Sequence, residues 1–362
     1  MVNASKPVWV VRVGKHGERD AWCLANGCVG GGWEDLPDLS GCRSRADIEE
    51  VVRRVIGPVK PDAVANYTGQ LWALRGRIAV GDTIVLPLKT TSQIAIGTCT
   101  RGYYYDPAES LDKRHLHGVR WERTDIPRTA VRQDLLYTLG SALTVFQAVK
   151  NDAAQRIAAL AATGVDPGRG HAVAGGGGAT VRPVPGSGAG TAVEDVTDEP
   201  EESPDIEVVA RDRIVAHIAE TFAGHRLAEL VAAILRVKGF VCETGGPGAD
   251  GGIDVVAGRG VLGLDAPRLI VQVKSGDSPV GDPVVRDLQG LVSGHQADQG
   301  LLVAWGGLTG AARANIAHKR FSIRVWDATA VVDAVLEAYA DLPEGIRADL
   351  PLKPVWVLTE GE

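Results

Sequence analysis

The chain has 362 residues, of which 45% are apolar, and its formal net charge is −7. This length favours two domains, and the apolar fraction excludes a largely disordered chain. No apolar run reaches the ~20 residues of a membrane-spanning helix, and the N-terminus lacks the apolar segment of a signal peptide, so a soluble cytoplasmic protein without a membrane partner is expected.

The first part of the chain is expected to contain mostly β-structure with some helices. Period-two patterns and turn residues predict strands over residues 8–13, 83–87 and 93–98. Helices are predicted over 45–56, with Ser44 as a possible N-cap, and over 68–77. Apolar residues then recur at helical spacing from Thr129 to Thr163, which predicts a long helical region that Asn151 breaks.

Residues 164–206 form the clearest boundary in the sequence. They contain four consecutive glycines, several prolines and an acidic run, a composition that buries too little apolar area to offset the entropy of ordering. We expect a flexible linker here between domains over 1–163 and 207–362. Eight acidic residues lie in 194–207, so the rest of the chain carries a formal charge of +1, and the overall charge neither supports nor excludes a nucleic-acid partner.

The C-terminal part alternates between helical and strand patterns. Helices are predicted over 211–222 and 226–238, and strands over 253–257, 269–274, 300–305 and 322–326. Further helices are expected over 283–293, 309–319 and 328–340. Because strand and helix alternate after residue 274, the pattern favours an α/β sheet that contains parallel strands.

Two predicted neighbouring strands each carry polar residues among apolar ones. Asp254 begins the first, and the second contains Gln272 and Lys274. Side chains alternate between the two faces of a strand, so Gln272 and Lys274 share one face while Leu269, Val271 and Val273 share the other. A carboxylate, an amide oxygen and an ammonium on one face can hold a divalent cation and a water beside a phosphate.

These residues carry a resemblance to a known family. The run from Gly248 to Asp254, followed by Gln272-Val273-Lys274, resembles the catalytic domain of Mrr-type, type IV-like restriction endonucleases in the PD-(D/E)xK superfamily. The similarity covers roughly residues 211 to 340. It includes the upstream helix over 227–235 and downstream segments over 287–290 and 300–303.

The resemblance implies a PD-(D/E)xK α/β nuclease fold and a Mg²⁺ or Mn²⁺ cofactor. Asp254 would be the central metal ligand, Gln272 a second ligand in place of the usual glutamate, and helix residue Glu229 a further one. Lys274 would orient or deprotonate the attacking water. A solvent-facing glutamate explains Glu229 nearly as well, and Asp250 and Glu243 are weaker candidates. No Gly-Lys-Ser/Thr follows the glycines at 245–248, so no nucleotide triphosphate site is expected.

The N-terminal part carries a second resemblance. Its segments around Trp33 and Trp72, followed by residues 78–87, resemble PUA-like domains of the EVE/YTH type over about residues 7 to 125. The resemblance implies a PUA-like β-barrel that reads a modified base. Trp33 and Trp72 are the candidates for the aromatic cage, with Trp121 and the tyrosines at 103–105 as alternates. These rings could equally form the core of a small barrel.

Two further residue groups leave their role open. Cys23, Cys28 and Cys42 could ligate zinc, but their spacing fits no ordinary zinc finger, and free thiols in a reducing compartment are the expectation for the five cysteines. A second group could contact phosphates or lie in a solvated loop: Arg101, Lys113, Arg114, His115 and His117. His115 and His117 could also ligate a metal on a strand, but no third ligand lies at a suitable spacing.

Together these observations predict a modification-dependent restriction endonuclease that acts in antiviral defence. It would recognise modified bases in foreign double-stranded DNA, hydrolyse phosphodiester bonds with a divalent metal, and act as a homodimer, because cutting both strands needs two active sites. The alternatives are a non-catalytic sensor of modified DNA, an RNA-directed nuclease and a repair nuclease. The sequence leaves open which modification is read.

Overall fold

A computed structural model describes residues 6–56, 61–170, 205–245, 252–319 and 321–356. The chain divides into two compact units. Unit 1 comprises Met1–Leu86, Ile96–Trp121 and Ser141–Ser203, and unit 2 comprises Pro87–Ala95, Glu122–Gly140 and Pro204–Glu362. Unit 2 therefore includes two segments from the N-terminal half of the chain. Most of the expected linker, residues 171–204, lies outside the described residues.

The N-terminal half contains six strands and five helices within the described residues. In chain order these are β1 (Val8–Val11), α1 (Asp20–Asn26), β2 (Cys28–Gly30), α2 (Arg45–Ile56), α3 (Pro61–Trp72), β3 (Thr83–Leu88), β4 (Gln93–Tyr105), β5 (His115–Pro127), α4 (Gln133–Leu139), β6 (Val145–Gln147) and α5 (Ala153–Thr163). A π-helical turn over Ala73–Arg77 extends α3.

The six strands form one open sheet in the order β2-β5-β4-β3-β1-β6. β1 is parallel to β3 and antiparallel to β6. The expected closed barrel is wrong for the described residues, because the two three-residue strands β2 and β6 lie at opposite edges and do not pair with each other. Strand-forming patterns in a sequence indicate strands, but they do not show whether the first and last strands hydrogen-bond to each other.

The long helical region expected over Thr129 to Thr163 is only partly present. Helices α4 and α5 occupy its two ends, but Val145–Gln147 form β6 against β1. Asn151 and Asp152 have φ angles of 60° and 55°, a left-handed conformation that ends regular structure before α5. A break at Asn151 is thus confirmed, whereas the β-branched and aromatic residues before it pair as a strand.

Helix α2 shows why the predicted helices form. Its buried residues Ile48, Val51 and Val52 follow helical spacing and pack with residues of α3 in one apolar cluster. Ser44 Oγ accepts a hydrogen bond from the Asp47 amide at 3.2 Å, and Asp47 Oδ2 accepts one from the Ser44 amide at 3.0 Å. This reciprocal cap confirms Ser44 as the N-terminal cap of α2.

The C-terminal half is a mixed α/β structure. Its elements are α6 (Ile206–Thr221), α7 (His225–Val237), β7 (Val241–Thr244), β8 (Val255–Arg259), β9 (Asp265–Lys274), α8 (Asp282–Gly294), β10 (Gln299–Ala304), α9 (Gly310–Ala317), β11 (Ile323–Trp326), α10 (Ala328–Ala338) and α11 (Glu344–Asp349). The sheet order is β11-β10-β9-β8-β7; β9, β10 and β11 are parallel, and β7, β8 and β9 are antiparallel. The expected α/β architecture with parallel strands is confirmed.

Helices cover both faces of this sheet. Leu269 and Val271 of β9 pack in an apolar cluster with α6, α7 and α10, whereas Ile270 packs in a second cluster with α8 and α9. The predicted alternation along β9 is therefore confirmed, and the even-numbered residues of this strand lie on the α8/α9 face. No helix within the described residues is long and apolar enough to cross a membrane.

Candidate functional site

The pairing of β8 with β9 places Asp254 beside the Gln272–Lys274 segment of β9. Val255 pairs with Val271 in an antiparallel register. The amide of Asp254, which directly precedes β8, donates a hydrogen bond to the carbonyl of Val271 at 3.0 Å, so the regular pairing ends at Val255. By strand alternation, Gln272 and Lys274 lie on the face of β9 that Ile270 marks.

The Asp254 carboxylate is fixed against β9. The backbone N–H of Val273 donates a hydrogen bond to Asp254 Oδ2 at 2.7 Å. The side chain is half-buried, and no hydrogen bond to its second oxygen is found among the described residues. The contact with Val273 thus holds the position of the carboxylate.

Gln272 is buried with an unsatisfied acceptor. Its residue is 5% exposed, and its Oε1 atom has no hydrogen-bond partner among the described residues. A buried acceptor without a partner costs about 1–3 kcal/mol, so this atom calls for an explanation beyond the packing of the described residues. Gly252, with φ of 95°, lies next to the amide, since a Cβ there would come within 2.9 Å of Gln272 Nε2. The positive φ favours glycine here, and any other residue would also displace the Gln272 amide.

Lys274 ends β9 on the same face. Its carbonyl accepts a hydrogen bond from the Trp305 amide at 2.9 Å, and it pairs with Ala304 of β10, so its backbone position is set by the sheet. The side chain is half-buried, and no ion pair to it is found among the described residues. A lysine ammonium can bind an anion such as a phosphate.

Glu229 has a different environment from these three residues. It lies on α7, its side chain is 53% exposed, and its Oε1 is 3.8 Å from His225 Nε2. The buried side of α7 packs in the apolar cluster of Leu269 and Val271, which line the opposite face from Gln272. Within the described residues no three His, Cys, Asp or Glu side chains group as a metal site. Asp250 lies outside the described residues.

The three candidate cage residues do not form one group. Trp33 and Trp72 are half-buried and both pack against the apolar cluster of α2 and α3. Trp72 packs against Gly76, where a Cβ would lie 2.5 Å from the Trp72 ring. Trp121 instead donates from Nε1 to the Cys23 carbonyl at 3.3 Å and lies against Gly97. The structure thus brings Trp33 and Trp72 to one apolar cluster, whereas Trp121 contacts Cys23 and Gly97.

His115 and His117 do not lie in a solvated loop. Both are buried in β5, and burial lowers the pKa of each imidazole below its usual range. His115 Nδ1 is 2.8 Å from the Tyr103 hydroxyl, and His117 Nε2 is 2.5 Å from the Leu74 carbonyl. Sequence reasoning missed this buried polar network, although the alternation of His115, His117 and apolar residues along a strand could have indicated it.

The C-terminal part of the chain matches a restriction endonuclease family. Residues 219–335 match the family model Mrr_cat, described as "Restriction endonuclease". This range contains Asp254, Gln272 and Lys274. Residues 9–140 match DUF8426, a domain of unknown function, so the expected PUA-like reader is not confirmed by that match. No curated protein matches the chain at a significant level.

Three solved structures show weak similarity to the chain. The DNA modification-dependent restriction endonuclease AspBHI is 13% identical, with 90% of this chain and 87% of that one covered and a TM-score of 0.31. The MspJI restriction endonuclease in complex with a 27-mer oligonucleotide is 12% identical, with 91% and 75% covered and a TM-score of 0.30. AF1548, a protein of unknown function, is 17% identical, with 34% of this chain and 77% of that one covered and a TM-score of 0.26.

Proposed function

We propose that this chain is a divalent-metal-dependent DNA endonuclease that acts on DNA with modified bases. The observation that carries the proposal is the position of Asp254 against the Gln272–Lys274 segment of β9, with the buried Gln272 Oε1 left without a partner among the described residues. The match of residues 219–335 to a restriction endonuclease family supports it. The same three residue types would not by themselves distinguish a nuclease from another metal site.

The donor set of this site suits a hard divalent cation. Asp254 offers a carboxylate oxygen and Gln272 an amide oxygen, and oxygen ligands are those that Mg²⁺ and Mn²⁺ prefer. Mg²⁺ commonly binds through one or two carboxylates and completes its shell with waters and substrate phosphates, so a set this small is sufficient. Asp254 and Gln272 are therefore proposed as the ligands. Glu229 stays outside this set because it pairs with His225 and lies on the helix of the opposite face.

Each residue then has a distinct task in phosphodiester hydrolysis. The bound cation would lower the pKa of a coordinated water and neutralise charge on the phosphate. Asp254, fixed by the Val273 amide, holds its carboxylate without rearrangement during the reaction. Lys274 orients the attacking water and stabilises the negative charge that develops on the phosphate oxygens.

The N-terminal part is proposed to read the modified base. Trp33 and Trp72 supply two half-buried aromatic rings at one apolar cluster, and base stacking on such rings is worth about 1–3 kcal/mol per base. The proposed partner is double-stranded DNA, from which one nucleotide would be extruded into this cluster. Trp121, which is not part of this cluster, is assigned a packing role.

A cleavage panel tests the proposal. One plasmid is prepared unmodified, methylated on adenine, methylated on cytosine, and hydroxymethylated or glucosylated, and each form is incubated with the protein and Mg²⁺ or Mn²⁺. We expect cutting of at least one modified form, none in chelator, and none by Asp254→Ala. Single-stranded RNA is added as a further substrate. The nuclease proposal is rejected if DNA stays intact under every condition or if Asp254→Ala still cuts. Cutting of RNA alone would show instead that the chain is an RNA-directed nuclease.

A further inference from the structure

Trp33 has a backbone conformation that a bulky residue disfavours. Its φ angle is 52°, and the three glycines before it, at positions 30 to 32, also have positive φ angles. Glycine adopts this left-handed region freely, whereas a residue with a large side chain keeps it only where surrounding contacts hold it. The contacts of the segment that follows Trp33 therefore decide where the ring lies.

Residues 33–42, which we call the Trp33 loop, contain no helix or strand. Their backbone is held by individual hydrogen bonds instead. The Leu36 amide donates to the Trp33 carbonyl at 3.0 Å, and the Cys42 amide donates to the Leu39 carbonyl at 3.0 Å. The Leu39 amide donates to the Tyr103 hydroxyl oxygen at 3.2 Å, and this hydroxyl lies 2.8 Å from His115 Nδ1. Since no regular element supports the loop, each side chain that bonds to it contributes to its shape.

Arg75 binds the Trp33 loop with two donors. Its Nε donates to the Leu39 carbonyl and its Nη2 to the Ser40 carbonyl, both at 2.8 Å. A guanidinium presents two donors in a fixed fork, which matches two consecutive carbonyls and which a lysine ammonium does not reproduce. The same guanidinium lies 5.5 Å from the centre of the Tyr103 ring. Arg75 and Tyr103 thus fix Leu39 through its carbonyl and its amide.

The position of Arg75 also relates this loop to Trp72. Arg75 lies in the π-helical turn over Ala73–Arg77, which directly follows Trp72. The Trp72 ring packs against Gly76 of the same turn. Such turns are rare and occur frequently at functional sites. One five-residue turn therefore contacts the Trp72 ring directly and contacts the Trp33 loop through Arg75.

We propose that Arg75 is a positioning residue that holds the Trp33 ring ready to stack on an extruded base. This inference rests on the proposed function, because it deepens the role given to Trp33 and Trp72. A ring that is fixed before the base arrives spares the entropy of ordering the loop on binding. Releasing the loop should therefore weaken the recognition of the modified base and leave the contacts with the DNA backbone in place.

A direct contact with a DNA phosphate is the competing role for this arginine. Two of its nitrogens already donate to backbone carbonyls, which favours the positioning role. Arg75→Lys separates the two roles, because lysine keeps the positive charge that a phosphate attracts but loses the paired donors that hold the loop. The matched control is Arg53→Lys, at an exposed arginine of α2 that pairs with Glu49.

Both variants of the full chain are compared with the unaltered protein by two measurements. Fluorescence anisotropy gives the affinity for duplexes that are unmodified or modified as in the cleavage panel, and hydrogen exchange without DNA follows the amides of Leu36 and Leu39. We expect Arg75→Lys to lower the preference for the modified duplex about tenfold and to keep its affinity for the unmodified one. Exchange in the Trp33 loop should become at least about tenfold faster. Arg53→Lys should change neither quantity, and circular dichroism checks that both variants are folded.

Three outcomes overturn the proposal. Unchanged exchange in Arg75→Lys would show that Arg75 does not hold the loop. Faster exchange with an unchanged preference would show that the loop does not position a ring that reads the base. Equal losses of affinity for both duplexes would assign Arg75 to the DNA backbone. A failed base reader is distinguishable from all three, because the unaltered protein would then bind every duplex equally.

Discussion

The backbone N–H of Val273 donates a 2.7 Å hydrogen bond to Asp254 Oδ2. This contact joins Asp254, which directly precedes β8, to the residue of β9 that lies between Gln272 and Lys274. It fixes the position of the Asp254 carboxylate against the backbone of β9. Because the donor is backbone, the contact depends on the antiparallel register and not on which side chain occupies position 273. A variant that keeps this hydrogen bond and removes only the charge can therefore test the role of Asp254 in chemistry.

Asp254→Asn is that variant. The asparagine carbonyl oxygen can still accept from Val273, so we expect the melting temperature to change little. Loss of the carboxylate should lower the cleavage rate of modified DNA at least about hundredfold, because a charged ligand at the reacting phosphate is removed. Asp265→Asn, on the same strand pair but exposed at the turn, is the control and should cut normally. A rate for Asp254→Asn within twofold of the unaltered protein would contradict the assignment.

Gln272→Leu should abolish DNA cleavage without lowering the free energy of unfolding. Gln272 Oε1 is buried without a partner, so an apolar side chain of similar size should leave the free energy of unfolding unchanged or raise it by about 1 kcal/mol. Cleavage should be lost, because the leucine offers no oxygen to the cation. The measurements are denaturant unfolding and the plasmid assay, both at neutral pH.

The control for this variant is a buried glutamine with satisfied hydrogen bonds. Gln70 Oε1 accepts from the Thr144 amide at 2.7 Å, so Gln70→Leu should cost about 1–3 kcal/mol by leaving that donor unpaired. If Gln272→Leu destabilises as much as Gln70→Leu, the Gln272 amide has a structural partner and does not await a ligand.

The sequence predicted the parts of the site that depend on local pattern. The alternation along residues 269–274 showed which side chains share a face, and the structure confirms that Leu269 and Val271 lie opposite Ile270. The need for glycine at position 252 was not deduced, because it arises from contact with the Gln272 amide across the strand pair. Such contacts between strands are set by register, which a pattern along one strand does not show.

The errors in the N-terminal half have the same origin. Val145–Gln147 had helical spacing with their neighbours, but pairing with β1 outweighs that local preference. Barrel closure was inferred from a resemblance in short motifs, whereas the described strands form an open sheet. Helix α2, by contrast, was predicted with its bounds because its cap and its apolar stripe are both local features.

Trp72→Ala tests the proposed base reader. Loss of one stacking ring should weaken binding to a modified duplex about tenfold and leave binding to the unmodified duplex nearly unchanged. Trp72→Phe should retain most of the preference, because it keeps a ring. Trp121→Ala is the control, since Trp121 bonds to the Cys23 carbonyl and is not part of the cluster of Trp33 and Trp72. Equal losses for modified and unmodified duplex, measured by fluorescence anisotropy, would show that Trp72 only packs.

Acid should destabilise unit 1 through its buried histidines. Burial lowers the pKa of His115 and His117 in the folded state, whereas unfolded histidine titrates near 6.5. The unfolded chain therefore binds protons first as the pH falls, so the stability that these residues contribute is complete above about pH 6.5 and is lost below it. We expect the melting temperature to fall by several degrees between pH 7.5 and 5.5.

His117→Gln should reduce this dependence on pH, since a glutamine amide can still donate to the Leu74 carbonyl and does not titrate. His16→Gln, at an exposed position, should leave the dependence as it is. Identical pH profiles for the unaltered protein and His117→Gln would remove His117 from the explanation.

An ion pair between Arg128 and Asp212 joins the segment Glu122–Gly140 to helix α6 within unit 2, and removing it measures its contribution to stability. The Arg128 guanidinium donates to both carboxylate oxygens of Asp212 on α6, at 3.0 and 2.5 Å, and the two side chains are only 18% and 10% exposed. Removing one partner of a pair this buried leaves a charge with little water, so Arg128→Ala should lower the free energy of unfolding by about 3 kcal/mol. Arg268→Ala breaks the exposed pair with Asp298 and should cost less than about 1 kcal/mol.

The double variant Arg128→Leu with Asp212→Leu completes this test. Because both charges are gone, no unpaired buried ion remains, and we expect most of the stability lost in Arg128→Ala to return. Denaturant unfolding of the full chain, followed by hydrogen exchange in α6, measures the effect where the contact lies. If Arg128→Ala costs no more than Arg268→Ala, the ion pair between Arg128 and Asp212 does not contribute to the stability of unit 2.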